Sequence, residues 1–347
     1  MGLNVSVIGV GAVGEAIVSC LKERRFPCNW PPRVAATRER SEVLAGENLA
    51  VQETGPDVFQ GADLVLFAGR EGAKGASVQW RDAALQAGAW CIDNGNDFRL
   101  DDDVPLVVPE VNADALRPDA RFIASPNCST IQMVVALAPI HRAARIRRIV
   151  AATYQSTSGW GVKGEDELRA QTPKALESRR DIPFDPAVFA APIAFNCIPH
   201  IDRFLGSGYT KEEMKMVHET HKILGDEAIR ISATAVRVPV FVGHCEALWI
   251  ETEKPLAPDE ARDMLRQAPG VVVVDEPDGQ SKRTYPTALD VETPEGRDAV
   301  FVGRIRRDLS ADNGLVLWCV SDNLRKGAAL NVVQIAERLL ERGYLKA

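Results

Sequence analysis

A chain of 347 residues is too long for one ordinary hydrophobic core, so two domains are expected. Hydrophobic residues make up 46% and charged residues 26%, as in globular proteins, and no apolar run, "MVVALAPI" included, is long enough to span a bilayer. The net charge of −7 comes with no basic stripe, which argues against nucleic acid as the main partner and leaves small anions held by local Arg or Lys.

Taken in chain order, "LNVSVIG" reads as a buried strand ending in glycines, with no basic region before it, so no signal peptide is expected. "AVGEAIVSCLKER" follows with apolar residues at helical spacing. "RVAAT", "ADLVLFAG" and "AWCIDNG" read as strands, and "QWRDAALQAG" as a helix between two of them. Strand and helix in alternation predict a doubly wound parallel sheet. From about residue 145 the pattern changes to longer strands: "IRRIVAATYQ", "ISATAVRVPVFVG", "HCEALWIET" and "LVLWCVSD". One long amphipathic helix, "KEEMKMVHETHKIL", stands among them, so a second domain with an antiparallel or mixed sheet is expected. "DEPDGQSKRTYPTALD" reads as a long loop, and the tail "GAALNVVQIAERLLERGYL" as an amphipathic helix able to pack back on the first domain.

Between the first strand and helix, Gly9, Gly11 and Gly14 form G-x-G-x-x-G, with Ala12 and Val13 at the helix start. Glycines there permit a tight turn and the approach of a pyrophosphate to the helix N-terminus. At the tip of the second strand, Thr37, Arg38, Arg40 and Ser41 offer cations and hydroxyls for a 2′-phosphate, favouring NADP over NAD. Glu39 is the dissenting residue, since an acid there selects a ribose hydroxyl.

Seven cysteines, an odd number without a CxxC pair, point to free thiols in a reducing, cytoplasmic compartment and give a metal site no support. "HETH" spaces His218 and His221 at i, i+3, not the i, i+4 of a zinc helix, and both read as helix-surface residues. Cys128, in "ASPNCST", falls at the first turn of a predicted helix, where backbone N–H groups and the helix dipole favour a thiolate. Such a cysteine alone is a small buried residue more often than a nucleophile. A nucleophile also needs an acid or base and substrate anchors. Gln155 at a strand end, Arg237 and His244 around "RVPVFVGH", and Glu212 with Lys215 on one helix face are the candidates.

The blocks "PNCST", "YQSTSG", "AFNCIPHID", "EEMK", "RVPVFVGH" and "DNLRKGAALNVVQIAE", with "DNGNDFRLDDDVPLVVPEVN" in the first half, resemble aspartate-semialdehyde dehydrogenases over nearly the whole chain. The resemblance implies an α/β fold with a Rossmann-like dinucleotide-binding domain, residues 1–127 plus a C-terminal helix at 325–347. A second α+β domain, 128–324, carries catalysis and dimerisation. It implies reversible, NADP-dependent conversion of L-4-aspartyl phosphate to L-aspartate 4-semialdehyde and phosphate, in biosynthesis of lysine and diaminopimelate, threonine, methionine and isoleucine, by a homodimer or tetramer. Carried over residue by residue, Cys128 is the nucleophile that forms a thioacyl enzyme, His244 the acid/base that takes the proton, and Gln155 the group orienting the acyl carbon. Arg237 holds the substrate α-carboxylate and Glu212 its α-ammonium. Arg99, Asn127 and Lys215 bind phosphate, while Ser158, Gly159 and Asn323 join the glycine loop in cofactor binding. The chain departs from the family in a glycine loop shorter by one residue and in "FAGREGAKG" where the family tends toward "FSAGG". An N-acetylglutamyl-phosphate reductase-like enzyme and a non-catalytic dimeric paralogue are the alternatives.

Overall fold

Val5–Ile8 (β1) is a run of four fully buried residues, which only a strand covered on both faces can use. It is the centre of the first of two sheets in a computed structural model that describes residues 2–69, 72–178, 186–276, 284–294 and 296–346. The chain divides into two units, residues 1–127 with 327–347, and residues 128–326.

In the first unit β1 pairs in parallel with Arg33–Ala36 (β2) on one side. A hairpin of Arg40–Leu44 (β3) and Glu47–Glu53 (β4) extends the sheet beyond β2. On the other side of β1 lie Leu64–Phe67 (β5), Trp90–Asp93 (β6) and Phe122–Ala124 (β7), giving the order β3-β4-β2-β1-β5-β6-β7. All pairings are parallel except β3 with β4. The order turns outward in both directions from β1, and at such a switch point the carboxyl ends of the strands open a crevice for a ligand. Ala12–Glu23 (α1) follows β1, Ala76–Gln86 (α2) follows β5, and the short Pro109–Asn112 (α3) precedes β7. Ile17, Val18 and Leu21 of α1 share a core with Leu330, Val333 and Ile335 of the tail helix.

The hairpin β3–β4 corrects the expected tip after β2. Thr37 and Arg38 lie in the exposed link from β2, but Arg40 and Ser41 already belong to β3, and the Arg40 guanidinium is paired with Glu42 at 2.7 Å. Ala45 and Gly46 both take positive φ, the two-residue turn that suits a twisted hairpin. No Asn-Gly or Asp-Gly marks it in the sequence.

The second unit holds Cys128–Ala144 (α4) and a six-stranded sheet. Its strands are Ile146–Gln155 (β8), Arg230–Arg237 (β9), His244–Thr252 (β10), Val271–Val273 (β11), Val300–Arg307 (β12) and Gly314–Ser321 (β13). The order is β11-β12-β13-β10-β8-β9, parallel at both edges and antiparallel between, so the sheet is mixed as expected. Residues 129–138 of α4 are all buried, as a helix apolar on every side must be. It packs on β10 and β13, and against Lys211–Leu224 (α6) and Pro258–Arg266 (α7). Val162–Glu177 (α5) and α7 add helices beyond the one expected. Leu330–Glu341 (α8) is the tail helix of the first unit. The expected loop at 275–290 lies outside the described residues over 277–283.

Candidate active site

Four strands of the second sheet meet the same edge with functional side chains. Gln155 ends β8 opposite Arg237, which ends β9, and His244 opens β10 opposite Ser321, which ends β13. Cys245 stands opposite Tyr154, so His244 falls beside Gln155 one step further on. Arg237, Gln155, His244 and Ser321 thus form one row, and aligned positions in a sheet put their side chains on one face.

The first turn of α4 lies over that row. Cys128 opens the helix, half-buried. Ser129 Oγ accepts a hydrogen bond from Gln155 Nε2 at 2.9 Å, and Gln132 Oε1 accepts one from Ser321 Oγ at 2.7 Å. Glu212 Oε1, on α6, accepts from Gln155 Nε2 at 3.2 Å. The structure turns Glu212 of this helix toward Gln155 and Lys215 toward Glu212. The Lys215 ammonium lies 3.3 Å from both Glu212 and Asp202. A capping box of Thr210 with Glu213 starts α6 and fixes this register.

Arg237 is 3% exposed, and its Nη1 donates to the Ser156 carbonyl at 2.6 Å. Burial lowers its pKa, while the charges of Glu212 and Cys128 pull it back up. Its Nε has no hydrogen-bond partner among the described residues, so one side of the guanidinium fork is uncommitted. A Cβ at Gly159 would stand 2.7 Å from Arg237 Nη1 and 3.5 Å from His244 Nε2, and glycine there lets both side chains close in.

His244 is fully buried. Its Nδ1 receives the Ser156 backbone N–H at 3.1 Å and has the Ser156 hydroxyl at 3.0 Å, whereas Nε2 has no partner among the described residues. Burial first, then the Arg237 charge, hold its pKa well below the ordinary histidine value. This is not a satisfied core histidine: half of its hydrogen-bonding capacity is reserved.

Ser156 is the residue that sequence reasoning missed. Its Oγ donates to Asn323 Oδ1 at 3.0 Å, and that oxygen also accepts from Ser158 Oγ at 3.1 Å and the Gly243 N–H at 3.1 Å. Asn323 Nδ2 donates to Ser158 Oγ at 2.9 Å. The side chains of Ser158 and Asn323, expected at a cofactor, are therefore built into the support of His244. Only a hydroxyl just after a strand end signalled Ser156, and such residues are common.

The remaining candidates lie in the first unit. Gly9 takes φ +110°, and a Cβ at Gly14 would fall 2.0 Å from the Gly9 carbonyl, so the turn admits glycine alone at both places. Gly11 caps α1 with no side-chain bond, and none of the described residues lies within 4 Å of where its Cβ would be. The N–H groups at Ala12 and Val13 thus begin a helix beside open space, which fits the pyrophosphate of a dinucleotide. Arg99 is buried and donates to the carbonyls of Gly95 at 3.0 Å and Asn94 at 2.8 Å, while Arg81 reaches Asp101 and Asp103. Asn127 is buried immediately before Cys128. Arg70 and Glu71 of "FAGREGAKG" lie outside the described residues. His218 is exposed as expected, and His221 is half-buried, its Nε2 2.7 Å from the Ile229 carbonyl. Among the described residues no helix is long and apolar enough to cross a membrane.

A dinucleotide turn in one unit and, in the other, a thiol at a helix start beside buried Arg and His describe an aldehyde or acyl dehydrogenase. The semialdehyde dehydrogenase NAD-binding domain matches residues 4–118, and the semialdehyde dehydrogenase dimerisation domain matches residues 137–326. The chain belongs to the semialdehyde dehydrogenase family. It is 45% identical over 351 residues to an aspartate-semialdehyde dehydrogenase of Aquifex aeolicus, covering 99% of this chain and 100% of that one. It is 48% identical over 349 residues to the Legionella pneumophila enzyme of that name, covering 99% and 97%. Among solved structures it superimposes on aspartate semialdehyde dehydrogenase II from Vibrio cholerae with TM-score 0.89 and 44% identity, over 98% of this chain and 99% of that one. The same protein has also been solved complexed with ASA.

Proposed function

We propose that this chain is an aspartate-semialdehyde dehydrogenase, interconverting L-4-aspartyl phosphate with L-aspartate 4-semialdehyde and phosphate, in biosynthesis of the aspartate-derived amino acids. The observation that carries the reading is the row at the sheet edge, where Gln155, Arg237 and His244 converge beside the helix that Cys128 opens. Cys128 is the nucleophile, placed where a helix N-terminus and the Arg237 guanidinium supply positive potential at sulfur. Its thiolate forms the bond to the carbonyl carbon and splits acyl transfer into two easier steps. Gln155, held between Ser129 and Glu212, orients the acyl group. Arg237 uses the Nε side of its fork on the substrate carboxylate, and Glu212 takes the ammonium. His244 directs Nε2 at the acyl oxygen.

Arg99, Asn127 and Lys215 are the phosphate ligands in this reading. NADP, when bound, supplies the hydride acceptor or donor, its pyrophosphate against Gly9, Gly11 and Gly14 with Ala12 and Val13, and its 2′-phosphate at Thr37 and Arg38. The enzyme acts as a cytoplasmic homodimer. The test is a phosphate-dependent assay of NADP reduction with aspartate semialdehyde, with NAD and N-acetylglutamate semialdehyde in parallel. Wild type turns over the aspartyl substrate with NADP, and Cys128→Ser retains cofactor binding and loses turnover. Equal rates in Cys128→Ser and wild type would remove the nucleophile assignment.

A further inference from the structure

Glu212 has to serve a substrate ammonium, yet a protein ammonium, that of Lys215, already stands 3.3 Å from its Oε2. The two residues are i and i+3 on α6, neighbours on one helix face with or without substrate. Glu212 Oε1 is engaged as well, accepting from Gln155 Nε2 at 3.2 Å. A carboxylate so occupied attracts a second cation weakly unless another group shares Lys215. Asp202 is that group, and it comes from outside the helix: its Oδ2 lies 3.3 Å from the same Nζ. It is not a loose surface charge. Its φ is +65°, the left-handed conformation that Asp and Asn tolerate, and its Oδ1 accepts the Arg203 N–H at 2.8 Å. Four residues earlier Ile198 exchanges both backbone hydrogen bonds with Arg237, at 2.9 and 2.8 Å, and the Arg203 carbonyl accepts the Lys211 N–H at 2.9 Å. The segment is thus tied to the end of β9 and to the start of α6, with Asp202 between the ties. A lysine ammonium has no planar fork to fix its direction, and two carboxylates on separate segments supply one. The Lys215 side chain is only 13% exposed, so water screens the pair less than it does an open surface bridge.

We propose that Asp202 is a positioning residue for substrate selection: it holds the Lys215 ammonium and offsets its charge, so that Glu212 stays available to the substrate α-ammonium. The inference rests on the roles proposed above for Glu212 and Lys215. It fixes a pair of signs. Without the Asp202 charge, the surroundings of Glu212 and Lys215 become more positive, so a substrate cation is held less tightly and an anion at Lys215 more tightly. A fault in the fold would weaken both together. The α-carboxylate on Arg237 is common to substrates with and without the ammonium, and its share cancels when the two are compared.

The test has a kinetic and a binding arm. Asp202→Asn keeps the shape and suits the left-handed backbone, Asp202→Gly is a second charge-free variant that also fits it, and Asp202→Glu restores the charge. The kinetic arm compares aspartate semialdehyde with succinate semialdehyde, which lacks only the α-ammonium. In Asp202→Asn the ratio of kcat/KM for the first to that for the second falls about three- to tenfold, and KM for phosphate falls by about two- to fivefold. Asp202→Glu returns both toward wild type. Equal losses on the two semialdehydes, or a KM for phosphate that rises, overturn the proposal. The binding arm needs no turnover: equilibrium titration with L-aspartate and with succinate, which differ by the same ammonium. Wild type prefers aspartate, and the preference shrinks about three- to tenfold in the Asn and Gly variants. An unchanged preference overturns the role of Asp202. If wild type does not turn over aspartate semialdehyde, the proposed reaction fails while the titrations still decide Asp202, so the two failures are separable.

Discussion

A methyl group at position 159 would stand 2.7 Å from Arg237 Nη1, the tip of a side chain, whereas one at position 164 would stand 2.4 Å from the Thr157 carbonyl, part of the backbone. A side-chain tip can yield and a carbonyl in a packed turn cannot, so the two glycines should fail differently. Gly159→Ala is expected to keep the wild-type melting temperature within a few degrees while kcat/KM for the semialdehyde drops by about 10–100-fold, because Arg237 is displaced by a fraction of an ångström. Gly164→Ala is expected to lower the melting temperature instead. A Gly159→Ala enzyme with unchanged kinetics would show that the Arg237 position is not critical. Cys128, His244 and Arg237 were legible because each sits in a distinctive block of sequence. Ser156 was not, because what it contributes to Nδ1 is chiefly a backbone N–H, and every residue but proline has one.

Among the elements, α6 was readable to the residue: Thr210 and Glu213 form the capping box, Gly225 ends the helix in the left-handed conformation, and the apolar spacing between is helical. The helices α5 and α7 were passed over for a physical reason. The buried side of α7 holds only Ala261 and Leu265, and that of α5 only Gly164, Leu168, Gln171 and Ala175, so few apolar residues mark either helix in the sequence. The β3–β4 hairpin changes the expectation at the cofactor tip, since Arg40 is in a strand and paired with Glu42 while Arg38 stays exposed in the link. Arg38→Ala should therefore weaken NADP by about tenfold and leave NAD nearly unchanged, the loss of a charge-assisted contact to the 2′-phosphate. Arg40→Ala should change neither by more than about twofold, as suits an exposed ion pair. Titration of both cofactors against both variants settles the point, and a larger effect at Arg40 would refute the assignment of the tip to Arg38.

At the scale of the molecule, both sheets followed from the sequence in kind: alternating strands and helices gave the parallel one, and long strands with few helices the mixed one. The order of strands in the second sheet did not, because apolar alternation fixes which face is buried and says nothing of which strand lies beside which. That sheet also carries a pH dependence. Glu246 on β10 is fully buried, and burial pushes its carboxyl up to about 8, against the lowering effect of Gln132 and Cys319. The folded protein then holds a proton that the unfolded chain releases above the ordinary carboxyl value of 4.5, so folding stability falls as pH rises from 4.5 toward 8. The slope is roughly 1.4 kcal/mol per pH unit at most. Glu246→Gln, which mimics the neutral acid, should match wild type near pH 5 and melt higher at pH 8. A difference that does not depend on pH would mean the carboxyl is ionised in the folded state.

The row at the sheet edge also ties the chemistry to the order in which the polypeptide is made. Cys128 and Gln155 emerge early in the second unit, but His244 pairs with Ser321, and the Ser156 beside it donates to Asn323; Ser321 and Asn323 are among the last of the unit's 199 or so residues. A nascent chain exposing the thiol has neither the strand that closes the sheet beside His244 nor the carboxamide behind it. The parts of the site are separated in time as well as in sequence, and a chain broken off before β13 carries Cys128 and His244 without the strand and the carboxamide that hold His244 in place.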